Sequence, residues 1–160
     1  MNDKLLLFTD GSVNTQRKVG CGAHLLVNAE NESDLSLGDW VKTKQFANTS
    51  STKLELQTLL WALGKIRETS RKVIVYTDSQ NIVGLASRRT TLEQNDYHSA
   101  NNRVLNHHEL YRTFFEITDL LDCDFVKVEG HMPGRDKGYY DQLFSLVDRA
   151  ARKALRNLKR

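Results

Sequence analysis

Leu5 to Ser12 reads LLLFTDGS, and Val73 to Gln80 reads VIVYTDSQ. Each is an apolar run that passes through an aromatic residue and a threonine into an aspartate, followed by a small residue. Short apolar runs bounded by polar residues read as buried strands. Two such strands lying parallel and adjacent, about 4.8 Å apart, would bring Asp10 and Asp78 to the same edge of a sheet. Like charges held that close repel, and one takes up a proton unless a cation lies between them. A hard divalent ion with oxygen ligands is the natural partner.

The segments around these runs assign the rest of the chain. VGCGAHLLV (Val19 to Val27) is a second strand whose glycines permit a bend or close approach. WVKTKQF (Trp40 to Phe46) alternates and predicts a half-exposed third strand. Leu56, Leu59, Leu60 and Leu63 then follow helical spacing, predicting an amphipathic helix to about Glu68. Asp78 begins another helix, and residues 88–106 are polar without a clear period. Leu110, Phe114, Ile117 and Leu121 restore helical spacing, DFVKVE (124–129) is a short fifth strand, and a loop leads to a last helix from Tyr140. Three strands followed by αβ crossovers point to one mixed sheet covered by helices, in a single domain over residues 1–160.

Composition agrees with one globular unit: 39% hydrophobic and 27% charged residues. Nothing approaches the roughly 20 apolar residues that span a bilayer, and the N-terminal apolar run is too short for a secretory signal. Two cysteines make no disulfide framework. The expectation is a cytoplasmic monomer with no membrane partner. Six of the 23 basic side chains fall in the last twelve residues, which hold no acid, so the remainder carries 17 bases against 20 acids. Those terminal cations suit a helix C-terminus and equally suit a phosphate-facing patch. VGCGAH is only a fragment of a dinucleotide fingerprint with no following helix. His107-His108 sits where a helix starts, without zinc spacing.

A cation between Asp10 and Asp78 needs further ligands. Glu55, in TKLELQ, lies in the first turn of the helix before the second run, and Asp148 stands one position off the inward stripe of the last helix. His131, in VEGHMPG, follows the fifth strand. Each also has an ordinary reading. Asp10-Gly11 is a hairpin-turn dipeptide, Thr52-x-x-Glu55 fits a capping box, Asp78 can cap a helix, and Asp148 can pair with Arg152 at i+4.

Taken in order, FTDGS, KLEL, YTDSQ, VEGH and VDRAAR resemble the type 1 ribonuclease H family, from about Lys4 to about Ala154. The resemblance implies an α/β, ribonuclease H-like fold: a five-stranded mixed sheet, three antiparallel strands then two αβ crossovers, flanked by helices. It implies Asp10, Glu55, Asp78 and Asp148 as ligands of two Mg²⁺ ions, with Mn²⁺ a possible substitute, and His131 as a proton-handling or product-release residue. The implied activity is endonucleolytic hydrolysis of the RNA strand of an RNA/DNA hybrid, leaving 5′-phosphate and 3′-hydroxyl ends. Gly11, Ser12, Ser51, Thr52 and Gln80 are the implied substrate contacts, with Arg88 and Arg89 in a handle-like insertion over 88–106. That insertion lacks tryptophan and contains Glu93 and Asp96, and Ser/Thr replace the family's usual Asn before Glu55, so weaker hybrid binding is expected. Arg17 and Lys18 are either loop residues or phosphate contacts. A same-fold nuclease for another nucleic-acid structure, or a non-catalytic hybrid-binding module, are the alternatives.

Overall fold

The protein is described from a computed structural model over residues 4–28, 30–129 and 138–158. Strand β1 (Leu5–Asn14) pairs antiparallel with β2 (Val19–Val27), which pairs antiparallel with β3 (Lys42–Phe46). Helix α1 (Ser51–Gly64) crosses to β4 (Val73–Thr77), parallel to β1. Short helices α2 (Gln80–Val83) and α3 (Arg89–Gln94) and the longer α4 (His108–Leu120) lead to β5 (Cys123–Lys127), parallel to β4. Helix α5 (Tyr139–Asn157) closes the fold. The sheet order is β3-β2-β1-β4-β5, so the two apolar runs that end in aspartate lie side by side within the sheet. The expected mixed sheet flanked by helices is observed.

Strand alternation divides the core in two. Leu7 and Val75 face α1 and α4, packing with Leu56, Leu59, Leu63 and Phe114. Their neighbours Phe8 and Tyr76 face α5, packing with Leu25, Val147 and Ala151. Helix α5 buries Leu143, Phe144, Val147 and Ala151 at helical spacing. No helix among the described residues is long and apolar enough to cross a membrane.

Several boundaries differ from the sequence expectation. Strand β1 does not stop at Thr9; Asp10-Gly11 pairs with Ala23-Gly22 in mid-strand, and the chain turns only after Asn14. The hairpin reading of that dipeptide fails because β2 continues to offer partners as far as Asn14. Trp40 belongs to a 3₁₀ turn (Leu37–Trp40), its indole N–H donating to Asp34 Oδ2 at 2.8 Å, so β3 starts at Lys42. Helix α1 is capped by Ser50, whose Oγ accepts from Lys53 N–H, and not by Thr52. The capping-box reading of Glu55 therefore falls, leaving its carboxylate available. Ser79, not Asp78, caps α2, its Oγ accepting from Ile82 N–H at 3.2 Å. Helix α4 starts directly after His107, which sits at φ 67° and makes no side-chain cap.

Candidate active site

The register Phe8↔Tyr76 places Asp10 and Asp78 two residues further along parallel neighbours, on the side of the sheet that α5 covers. Glu55 comes from α1 on the other side. It gets there because α1 sits close to β1 and β2 over glycines. A Cβ on Gly22 would lie 2.1 Å from Thr58 Oγ1, and one on Gly11 2.8 Å from Leu54 Cδ2. With that approach, Asp10, Glu55 and Asp78 line one small cavity together with Thr9, Thr58 and Thr77. Asp148 enters from the middle of α5, and its side chain is among the influences that raise the Asp10 pKa.

The electrostatics follow from that crowding. The Asp10 carboxyl is pushed up to about 8, by burial first, then by the Asp78 charge and by the Asp148 side chain, against a lowering hydrogen bond from the Gly11 backbone. Glu55 is also raised, by burial above all and by Asp78, although Ser79 Oγ donates to its Oε2 at 2.7 Å and works the other way. Arg152 Nε donates to Asp148 Oδ1 at 3.1 Å. The i+4 pairing and the approach to Asp10 thus coexist: one oxygen of Asp148 is oriented by Arg152 while the carboxyl turns towards the sheet.

Among the described residues, no three His, Cys, Asp or Glu side chains stand as a closed metal-binding group. The donor chemistry nevertheless fits a hard cation: all four candidates are carboxylates, and Asp10 holds a proton where a cation would relieve the same repulsion.

The remaining sequence candidates are spread more widely. Gly11 and Ser12 lie on β1 beside Asp10, partly exposed, and Gln80 is exposed at the first residue of α2. Ser51 is exposed at the start of α1, with Thr52 beside it, and Thr49 N–H just before them donates to Lys18 O, tying the loop to the β1–β2 hairpin. Arg88 is folded back onto Asn81, contacting its backbone and side-chain oxygens. Arg89 is engaged inside the protein: Nε donates to Glu93, Nη1 and Nη2 donate to Asp119 at 2.6 and 2.9 Å, and the guanidinium lies over Phe115. Asp119 lies near the end of α4, just before β5, whose start is at the opposite end of the sheet from Asp78. Three of the five Arg89 N–H donors are thus engaged with the Glu93 and Asp119 carboxylates. His131 lies outside the described residues. Ser79, the orienting partner of Glu55, escapes a reading of the sequence; its one signal is its place directly after Asp78.

A ribonuclease H-like fold carrying carboxylates within β1 and just past the end of the parallel β4 defines the class. The chain belongs to the RNase H family, whose sequence model matches residues 2–156. Comparison with curated protein sequences gives no match. Among solved structures, the solution structure of the PFV (prototype foamy virus) RNase H domain is similar with a TM-score of 0.71 at 15% identity, covering 94% of this chain and 92% of that one. A foamy viral protease-reverse transcriptase in complex with RNA/DNA hybrid gives a TM-score of 0.70 at 12% identity, covering 94% of this chain and 19% of that one. A chain from that protein's complex with dsDNA gives 0.68 at 15% identity, covering 92% of this chain and 93% of that one. At these identities the likeness establishes the fold.

Proposed function

We propose that the protein is a metal-dependent endoribonuclease that hydrolyses the RNA strand of RNA/DNA hybrids, leaving 5′-phosphate and 3′-hydroxyl ends. The observation that carries this reading is the convergence of Asp10, Glu55 and Asp78, from three separate elements, on one small cavity. A binding module gains nothing from concentrated negative charge facing a phosphate backbone. A hydrolase gains a cation site. Family membership and a neighbour solved in complex with RNA/DNA hybrid support the choice of substrate.

Asp10, Glu55, Asp78 and Asp148 are the residues that would hold Mg²⁺. When bound, Mg²⁺ supplies Lewis acidity that lowers the pKa of water and offsets charge developing on the phosphate. The chain's own contributions are positional. Asp10 would hold the cation as a carboxylate, Ser79 fixes one oxygen of Glu55, and Arg152 fixes one oxygen of Asp148. Water oxygen attacks phosphorus, the bond from phosphorus to the 3′-oxygen breaks, and that oxygen leaves with a proton, which His131 is assigned to handle. Gly11, Ser12, Gln80, Ser51 and Thr52 are assigned to the minor groove, where the 2′-hydroxyl distinguishes RNA from DNA.

The test is labelled RNA in hybrid form, with and without Mg²⁺ or Mn²⁺, beside DNA/DNA and RNA/RNA duplexes. Cleavage is expected for the hybrid alone and only with metal. Asp10→Asn is expected to abolish cleavage, a loss of at least about 10³-fold, while binding stays within about threefold, because the substitution removes a metal ligand and not a phosphate contact. Hybrid binding without cleavage in both metals would overturn the assignment.

A further inference from the structure

Thr58 stands in the wall of the cavity that Asp10, Glu55 and Asp78 line, three residues after Glu55 on the same face of α1. The side chain is 1% exposed. Among the described side chains lining that cavity, it alone carries a fully buried oxygen with no hydrogen-bond partner. The cavity is too tight to admit a water molecule, so solvent does not supply one.

Threonines elsewhere in the protein meet the same need locally. In α4, Thr113 Oγ1 donates to Glu109 O at 3.0 Å and Thr118 Oγ1 to Phe114 O at 2.9 Å, each the carbonyl four residues back. Leu54 O is the equivalent carbonyl for Thr58, and the hydroxyl does not use it. It points to the sheet instead, where Oγ1 would collide with a Cβ on Gly22. Packing against Gly22 explains the branched shape of the side chain but not its hydroxyl. Valine has that shape without a polar atom to bury, and a buried hydroxyl left unpaired lowers stability. Such a cost is retained where function requires the group. The neighbouring hydroxyls show what it could do. Ser79 Oγ donates to Glu55 Oε2 at 2.7 Å, and Thr77 Oγ1 accepts from Ser79 N–H at 3.1 Å. A carboxylate accepts several donors, and a donor to a ligating carboxylate fixes its direction towards a cation.

We propose that Thr58 is a positioning residue of the carboxylate site: its hydroxyl donates to a carboxylate oxygen of Glu55 once a divalent cation is bound, and so raises affinity for that cation. The inference rests on the cation site of the reading above but not on cleavage. Mg²⁺ and Mn²⁺ binding to the full chain is measured by calorimetry without nucleic acid, for the parent, Thr58→Val and Thr58→Ser. Thr58→Val removes the hydroxyl and keeps the shape; it is expected to weaken binding about 10-fold, the loss typical of outer partners of metal ligands. Thr58→Ser keeps the hydroxyl and is expected to stay within about threefold of the parent. Thr58→Val breaks no hydrogen bond of Thr58 Oγ1 seen here, so its Tm without metal should fall by no more than about 2–4 °C. The rise in Tm on adding metal should shrink. If valine does not fit against Gly22 and the Tm falls further, Thr58→Ala removes the hydroxyl without that contact and takes its place. A loss of affinity no larger than that of Thr58→Ser, or a parent chain that binds neither ion, overturns the proposal. Weakened metal binding in a chain that never cuts hybrid would end the nuclease reading and leave Thr58 in this role; normal cutting with affinity unchanged in Thr58→Val has the reverse meaning.

Discussion

Asp10 and His24 are both buried titratable side chains on neighbouring strands, and their pKa values move in opposite directions. Asp10 is raised because burial and two further carboxylates disfavour its charge, so its ionisation works against the metal-free fold as pH rises. His24 is lowered to about 4 from 6.5, by burial first and then by Lys65 and Lys42. It has no hydrogen-bond partner to compensate. Between pH 4 and 6.5 the unfolded chain binds more protons at this histidine than the native one. The stability it contributes is therefore full above about 6.5 and falls as pH drops towards 4. A shift of this size corresponds to about 3 kcal/mol over the whole window. His24→Leu is expected to flatten this part of the profile. Urea unfolding at about pH 7 and about pH 4.5 is the measurement: the variant should gain about 2 kcal/mol on the parent between the two. Equal losses in parent and variant would mean that His24 takes up its proton without cost to the fold.

At the scale of elements, the site depends on how closely α1 lies on β1 and β2. A methyl group on Gly22 would fall 2.1 Å from Thr58 Oγ1 and within 2.9 Å of two further Thr58 atoms, all within one turn of Glu55. Gly22→Ala is expected to cost about 1–3 kcal/mol through this overlap and to reduce cleavage by moving Glu55 away from Asp78. Thr58→Ala removes the two nearest colliding atoms, Oγ1 and Cγ2, and leaves only Cβ at 2.9 Å, so the double variant should recover at least about 1 kcal/mol relative to the sum of the single changes. A purely additive pair, read by thermal denaturation, would place the cost elsewhere. The amino-acid pattern indicates β1, β4, α1 and α5, because their hydrophobic periods are regular and their faces are buried. It does not indicate where β1 ends, because Asp-Gly has the same local chemistry in a turn as in a strand that still has a partner. Nor does it indicate that Arg89 is paired with Asp119, 30 residues on, or Glu55 with Ser79, 24 residues on. Such pairings are set by tertiary packing, and no local pattern encodes them. The four carboxylates are legible only as an ordered set, since each alone has an ordinary local explanation.

Over the described molecule, Asp10, Glu55 and Asp78 converge at one cavity, while cations collect along the second half of α5. Helix α5 packs across β1, β2 and β3 and carries exposed Arg149, Arg152 and Arg156, followed in sequence by Lys159 and Arg160. Of these, Arg152 is bound to Asp148 and is part of the site. Two physical roles compete for Arg156, Lys159 and Arg160. As partners of the helix dipole they would contribute about 0.3–1 kcal/mol each to stability and nothing to binding. As phosphate contacts they would release counterions and steepen the salt dependence of hybrid binding, with little effect on the fold. Replacing the three with Gln separates the roles. The expected outcome is a salt slope lower by about 1–3, with an unchanged kcat at saturating hybrid. The Tm should stay within about 2–4 °C of the parent, the span of roughly 1 kcal/mol for a chain of this length. A fall in Tm with an intact slope would assign these cations to the helix end.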